Sequence, residues 1–286
     1  MIQSMTGFGK AFLQLPNKKI SVEIKSLNSK GLDLNVRTPS VYREMELQIR
    51  NRVSQHLERG KIDFSLYIEA SGEETSTKVN VPIVNGYIKQ LQGVLPGGDL
   101  TELTKMAVRM PDALKTEREE LDPNEWSAIS GVIDEALERI ANFRKDEGVS
   151  LETDFRLRIA NIRLYMNEAL AMDSDRIAKI KERLRTAIDE LKVNVDENRF
   201  EQELIFYLEK LDITEEKTRL TNHLDYFLET MEKEEALGRK LGFITQEIGR
   251  EINTMGSKSN HAEMQKKVVM MKDELEKIKE QVLNVL

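Results

Sequence analysis

A chain of 286 residues without a single cysteine excludes disulfides, thiolate nucleophiles and Cys-based zinc sites, and suits a reducing cytoplasm better than secretion. With 33% charged and 40% hydrophobic residues, 15 Gly and 6 Pro, the composition is that of long solvated helices rather than a turn-rich β protein. The net charge of −7 is uneven, since residues 1–90 carry 13 Lys and Arg against 9 Asp and Glu, and the remainder 30 against 41. The acidic total argues against nonspecific nucleic-acid binding, whereas the basic N-terminal part leaves a phosphate-binding surface open. No apolar run reaches the roughly 18 residues of a membrane span, and Met1-Ile2-Gln3-Ser4 leads into no signal-peptide core, so the expectation is a cytoplasmic protein without membrane contact.

In chain order, Ser4 to Leu15 reads as a strand. Val22, Ile24, Ser26, then Leu32, Leu34 and Val36 alternate as strand, loop, strand around the turn formers Asn28-Ser29-Lys30-Gly31. An amphipathic helix over about Tyr42 to Leu57 follows, ended by Gly60 in the left-handed conformation, and then a strand through Ile62, Phe64, Leu66 and Ile68. Val79 to Leu121 is less regular, with Leu95-Pro96-Gly97-Gly98-Asp99 as its clearest loop.

From Glu125 onward the period is helical. Leu137, Ile140, Phe143, Leu151, Phe155, Ile159, Ile162 and Met166 form one stripe, which breaks at Met172-Asp173-Ser174 and restarts through Ile177, Ile180, Leu184 and Ile188 as an antiparallel partner. A third stripe runs from Leu220 to Ile252, long enough to require a break near Gly238 or a bundle-forming partner, and a last helix through Val268, Leu275, Ile278 and Val282 folds back on it.

The fold class is therefore α+β: an N-terminal antiparallel sheet with a helix, then a long helical hairpin and a C-terminal helical region, with oligomerisation expected because the hairpin needs a packing partner. The division is 1–122, an α+β domain and candidate for RNA binding; 123–209, a helical hairpin or stalk; and 210–286, a helical domain with the candidate active site.

Two clusters carry chemistry. In the first, Glu216, Arg219 and His223 share a helical face with Asp212 near the same line, while Asp212 and Glu215 also have the spacing of a capping box. In the second, Glu247 and Glu251 lie one turn apart, which lets both carboxylates meet one hard divalent cation, and Arg250 lies near the same face, placed to hold a phosphate. Asn260 with Glu263 fits another capping box. Walker, Rossmann and His-Glu-x-x-His patterns are absent, which disfavours nucleotide hydrolysis and dinucleotide redox chemistry.

Ser4-Met5-Thr6-Gly7-Phe8-Gly9, Glu23-Ile24-Lys25-Ser26-Leu27-Asn28, Arg59-Gly60-Lys61, Asp212-Ile213-Thr214-Glu215-Glu216 with Arg219-Leu220 and His223, and Gly238-Arg239-Lys240-Leu241 through Gln246-Glu247, Arg250-Glu251-Ile252-Asn253-Thr254 and Ser257-Lys258-Ser259-Asn260 occur in that order. In these motifs the chain resembles the YicC/YloC family of bacterial proteins from Ser4 to its C-terminus. The resemblance implies a metal-dependent endoribonuclease linked to stress responses and small-RNA turnover, and a ring-like homo-oligomer, a hexamer, that encloses RNA. Gly242 and Gly249 stand where the family more often has Asp and Asn, and Gly31-Leu32 replaces a frequent aromatic.

Taken as a ribonuclease, the chain has His223, Glu216, Glu247 and Glu251 as catalytic candidates, with Glu216, Glu247 and Glu251 holding Mn²⁺ or Mg²⁺. Lys25, Asn28, Lys30, Arg37, Arg59, Lys61, Arg219, Arg250, Asn253 and Lys258 are the RNA-binding candidates. Partners are RNA, further copies of the chain and other RNA-decay proteins. The alternative is a noncatalytic RNA-binding adaptor or oligomeric scaffold that delivers RNA to another nuclease.

Overall fold

A computed structural model describes residues 2–70, 78–115, 123–191, 196–233 and 238–286. Strands β1 (Gly7–Gln14), β2 (Lys18–Leu27), β3 (Leu32–Arg37) and β4 (Gly60–Ala70) form one sheet in the order β1-β2-β4-β3. The α+β class holds, but the sheet is mixed rather than wholly antiparallel. β2 and β3 do not close a hairpin: β4 inserts between them, antiparallel to β2 and parallel to β3. A parallel pair needs a crossover, and here it is a 3-10 turn over Ser40–Met45 and helix α1 (Glu46–His56). Gly60 takes the left-handed φ of +125°, not to end α1, which stops at His56, but to open β4.

Alternation along the strands gives the sheet one buried face. Ala11, Ile20, Val22, Ile24, Ile62 and Phe64 are all fully buried, packed with Ile49 and Val53 of α1 and with Ile129, Ile133, Ala136 and Ile140 of α4 (Pro123–Ala171). Burying each larger side chain is worth about 1.5–3 kcal/mol, which fixes the register because a one-residue slip would turn the whole set outward. Contact between β1 and α4 is close enough that a Cβ on Gly9 would sit 2.2 Å from the Ala136 carbonyl oxygen.

The segment Val79 to Leu121, expected to be irregular, holds two short helices, α2 (Val81–Val94) and α3 (Leu100–Ala107), separated by the expected 95–99 loop. Asp99 caps α3 by accepting from the Thr101 amide. Residues 116–122 lie outside the described residues.

α4 is one 49-residue helix whose first half packs on the sheet and whose second half, through Phe155, Ile159, Ile162 and Met166, joins a helical core. Phe143 falls off this stripe and is 41% exposed. The break at residue 172 is where it was expected, and α5 (Asp173–Leu191) follows. However, α5 does not run back along α4 as the expected hairpin. α9 (Ala262–Val282) takes that place against α4, while α5 faces α6 (Glu197–Lys210) across an open groove. A 3-4 stripe specifies an apolar partner but not which one, and here the partner is the sequence-distant α9.

Helices α7 (Thr214–Glu232) and α8 (Gly238–Lys258) complete the bundle; α7 ends with Lys233 in extended conformation, and residues 234–237 lie outside the described residues. α8 runs unbroken through Gly242 and Gly249, both half-buried against α9, so packing outweighs their poor helix propensity. The segments near the two ends of the sequence meet: Ser4 bridges to Val285, the Met5 amide donates to the Asn284 carbonyl and the Leu286 amide to the Gln3 carbonyl. The three-part division of the sequence thus meets a helix, α4, that serves two cores. No helix among the described residues is long and apolar enough to cross a membrane.

Candidate active site

The helix starts and stops of the bundle converge on one polar junction. Lys258, the last residue of α8, donates through Nζ to Glu216 Oε1 at 2.7 Å and to the Asp212 carbonyl at 2.8 Å. Glu216 lies on the buried stripe of α7 with Leu220, Leu224 and Phe227 and is 4% exposed; its Oε2 has no hydrogen-bond partner. Arg176, only 1% exposed, donates to the Lys258 carbonyl at 2.6 Å and the Leu211 carbonyl at 2.9 Å, and pairs with Asp173 at 2.7 Å. One guanidinium therefore ties the starts of α5 and α7 to the end of α8. Breaking such buried ionic contacts from one side costs about 3–5 kcal/mol, because the partner is left charged and unpaired.

The caps differ from the expected capping boxes. α7 starts at Thr214, and Asp212 accepts from the Thr214 amide at 3.1 Å and hydroxyl at 2.7 Å, while Glu215 pairs with Arg219 instead of reaching back. These bonds to Thr214, with Lys258 nearby, hold the Asp212 carboxyl below its usual range. At α9 the cap is His261, not Asn260: the Met264 amide donates to its Nδ1, and Glu263 pairs with Lys266. The other ring nitrogen, Nε2, stands 3.7 Å from Asp175 Oδ2 and 3.5 Å from Lys179 Nζ. Lys179 shares that carboxylate at 2.7 Å and, with His261, draws the Asp175 carboxyl below its usual value.

The face expected to unite Glu216, Arg219 and His223 divides. Glu216 turns inward to Lys258, Arg219 is exposed beside Glu215, and His223 is half-buried with no hydrogen bond or ion pair among the described residues. On α8, Glu247 pairs with Arg250 at 2.6 Å near the surface, whereas Glu251 is buried at 9% exposure without a hydrogen bond among the described residues. Asn253 is exposed. α7 and α8 pack as an antiparallel pair, and Lys258 meets Glu216; counting back along both helices sets His223 level with Glu251 and Arg219 level with Met255.

No group of three or more His, Asp and Glu side chains among the described residues gathers to hold a metal ion. Glu216, Glu247 and Glu251 are thus not assembled as one cage within the chain, and the ammonium on Oε1 makes Glu216 a poor ligand. Glu247 and Glu251 remain two carboxylates on successive turns, which is what a Mg²⁺-like ion takes from a protein when phosphate oxygens and water supply the rest.

Of the N-terminal candidates, Lys25, Lys30, Arg37 and Lys61 are exposed. Asn28 instead donates to the Leu283 carbonyl at 2.6 Å and Arg59 to the Ser29 carbonyl at 2.9 Å, so both brace loops. Buried Arg144 of α4, held by the Met5 and Arg59 carbonyls and the Ser26 hydroxyl, went unnoticed in the sequence, as did Arg176 and His261. Arg176 had a legible signal, for it stands on the same i+4 line as Ile180, Leu184 and Ile188.

Two family models match this chain: "Endoribonuclease YicC-like, N-terminal region" over residues 2–153 and "Endoribonuclease YicC-like, C-terminal" over residues 169–286. The chain belongs to the YicC-like endoribonuclease family. A relative from Clostridioides difficile (strain 630) named "Probable endoribonuclease YicC" is 33% identical over the full length of both chains. Another of the same name from Haemophilus influenzae (strain ATCC 51907 / DSM 11121 / KW20 / Rd) is 29% identical, again with complete coverage of both. The break in α4's stripe near residue 172 lies just inside the C-terminal family region, so the polar junction belongs to that region entirely.

Proposed function

We propose that the chain is an endoribonuclease that cleaves internal phosphodiester bonds of RNA and contributes to RNA turnover. The observation that carries this reading is the end-to-end likeness to relatives named as probable endoribonucleases. Cleavage needs an oxygen nucleophile, neutralisation of charge on the phosphoryl group and a proton for the departing oxygen. Arg219 and Arg250, exposed on facing helices, bind and orient phosphate. His223, level with Glu251 and without a competing partner among the described residues, holds or moves the proton at a ribose oxygen. Mn²⁺ or Mg²⁺, when bound by Glu247 and Glu251, would supply an acidified water and polarise the phosphoryl oxygen. Lys258 and Glu216 act by fixing the α7–α8 register beneath this surface.

Assembly of copies of the chain into a hexameric ring in the cytoplasm belongs to the same proposal. α6 buries none of its residues, leaving Ile205 58% and Phe206 56% exposed. Sedimentation of the purified chain tests the assembly.

The activity is tested with an end-labelled RNA, with Mn²⁺ or with EDTA. Glu247→Gln with Glu251→Gln should abolish metal-dependent cleavage while a gel shift still shows binding; full cleavage by that double variant sinks the site assignment. Because no three-ligand cluster forms among the described residues, an RNA-binding adaptor is the second reading. Binding without cleavage by the parent chain would select it.

A further inference from the structure

One face of the β1-β2-β4-β3 sheet is packed by α1 and α4, and the other carries no element of this chain among the described residues. Pairing registers fix what lies on it. Phe8 stands opposite Lys25, Lys10 opposite Glu23, and Phe12 opposite Ser21, which in turn stands opposite Tyr67. The three rings are 40%, 59% and 48% exposed. Strand spacing sets Phe12 and Tyr67 about 10 Å apart with only a serine between them, and Phe8 lies about 13 Å along β1 from Phe12. Lys25 Nζ stands 5.8 Å from the centre of the Phe8 ring, and Lys19 Nζ 5.4 Å from that of Phe12.

We propose that this uncovered sheet face is a stacking platform for single-stranded RNA, with Phe8, Phe12 and Tyr67 as its rings. The proposal rests on the reading of the chain as RNA-cleaving and names the form of RNA it takes. Every base has a π-face, so rings spaced across a flat sheet accept unstacked bases whatever their sequence, while neighbouring cations meet the phosphates between them. The face supplies those cations. Lys19, Lys61 and Arg37 make no ion pair with a carboxylate among the described residues, whereas Glu23 is covered by Lys10 at 2.8 Å and Asp63 accepts from the Asn35 amide at 2.9 Å. Glu69 and Asp33 remain, each beside a lysine across the strands, so the face is only slightly positive and the rings, not bulk charge, must hold the strand.

A second copy of the chain fits less well. Interface cores are depleted of charge and continuous in apolar area, and here Lys10 separates Phe8 from Phe12, Ser21 lies between Phe12 and Tyr67, and Lys19 and Lys25 stand beside the rings. Duplex RNA fits less well too, since its bases are already stacked and a flat sheet face enters neither groove.

The test is affinity of the full chain for a fluorescein-labelled oligouridine, read by anisotropy, beside an abasic strand of equal length. Each of Phe8→Ala, Phe12→Ala and Tyr67→Ala should weaken oligouridine binding about ten-fold, and the abasic strand should bind the parent no better than the triple variant binds oligouridine. Phe12→Tyr and Tyr67→Phe should retain affinity, and photocrosslinked 5-iodouridine RNA should label peptides containing Phe12 or Tyr67. Alanine variants that bind like the parent overturn the platform but leave the RNA reading intact. A parent that neither binds nor cleaves RNA overturns both. Oligomers that dissociate in the triple variant without loss of RNA affinity make the face a contact between copies and overturn the proposal.

Discussion

The junction at the ends of α5, α7 and α8 and the outer face of α8 use the same side chains, Glu with Arg or Lys, and do opposite things with them. At the junction the pair Glu216–Lys258 has side chains 6% and 25% exposed, and Arg176 is sealed inside. On α8 the pair Glu247–Arg250 is 41% and 71% exposed. Burial, not residue type, separates a structural lock from a surface free to meet a ligand. Two carboxylates with the same helical spacing relations can therefore have unrelated roles a few turns apart.

The sharpest way to break this contrast is Arg176→Leu, which leaves the Lys258 and Leu211 carbonyls without their donor and should cost about 4 kcal/mol in urea unfolding at unchanged m. A loss below about 1 kcal/mol would mean the junction is not a lock. Lys258→Met should cost about 3 kcal/mol because it strands Glu216, and adding Glu216→Met should restore most of it. Losses that simply add in the double variant would deny the coupling.

Glu274 offers an intermediate case. Burial pushes its carboxyl up, but hydrogen bonds from Asn161, Lys277 and Arg158 more than offset this, so it lies below its ordinary value. A depressed carboxyl contributes stability that is present above the unfolded value of about 4.3 and is lost as pH falls through the folded one. Glu274→Gln should therefore be less stable than the parent at pH 7, and the gap should close on acidification below about pH 4; a gap independent of pH would contradict the pairing. The smallest effect belongs to Arg250→Ala, whose stability should stay within about 0.5 kcal/mol of the parent while RNA affinity falls. Unchanged RNA affinity would remove Arg250 from the binding surface.

Much of the fold could be read from the residues because it follows from local pattern. The alternation in β2 and β4, the break at residue 172 and the end of α7 at Glu232 all express the period of the element itself. What escaped was partner choice. Nothing in Leu32, Leu34 and Val36 says that their strand pairs parallel with β4 rather than folding back on β2, and nothing in α4's stripe names α9 over α5. At the candidate site the same gap appears: periodicity placed Glu216, Arg219 and His223 on one face, but the helix buries a stripe narrower than that face, which takes Glu216 inward and leaves Arg219 out. The aromatic rows of the open sheet were hidden for the same reason, since Phe12 and Tyr67 become neighbours only when β1, β2 and β4 are in register.

The meeting of residues 2–5 with residues 284–286 also sets an order of assembly. Closing a loop of that size costs about 3 kcal/mol more chain entropy than closing one of ten residues, so these contacts gain nothing until both cores have already drawn their ends together. Ile2 nevertheless sits in the helical core. The segment before β1 is thus the last piece to lock and the first to open. Hydrogen exchange should find its amides releasing well before those of β2, and a permuted chain with these two segments joined should fold faster than the parent.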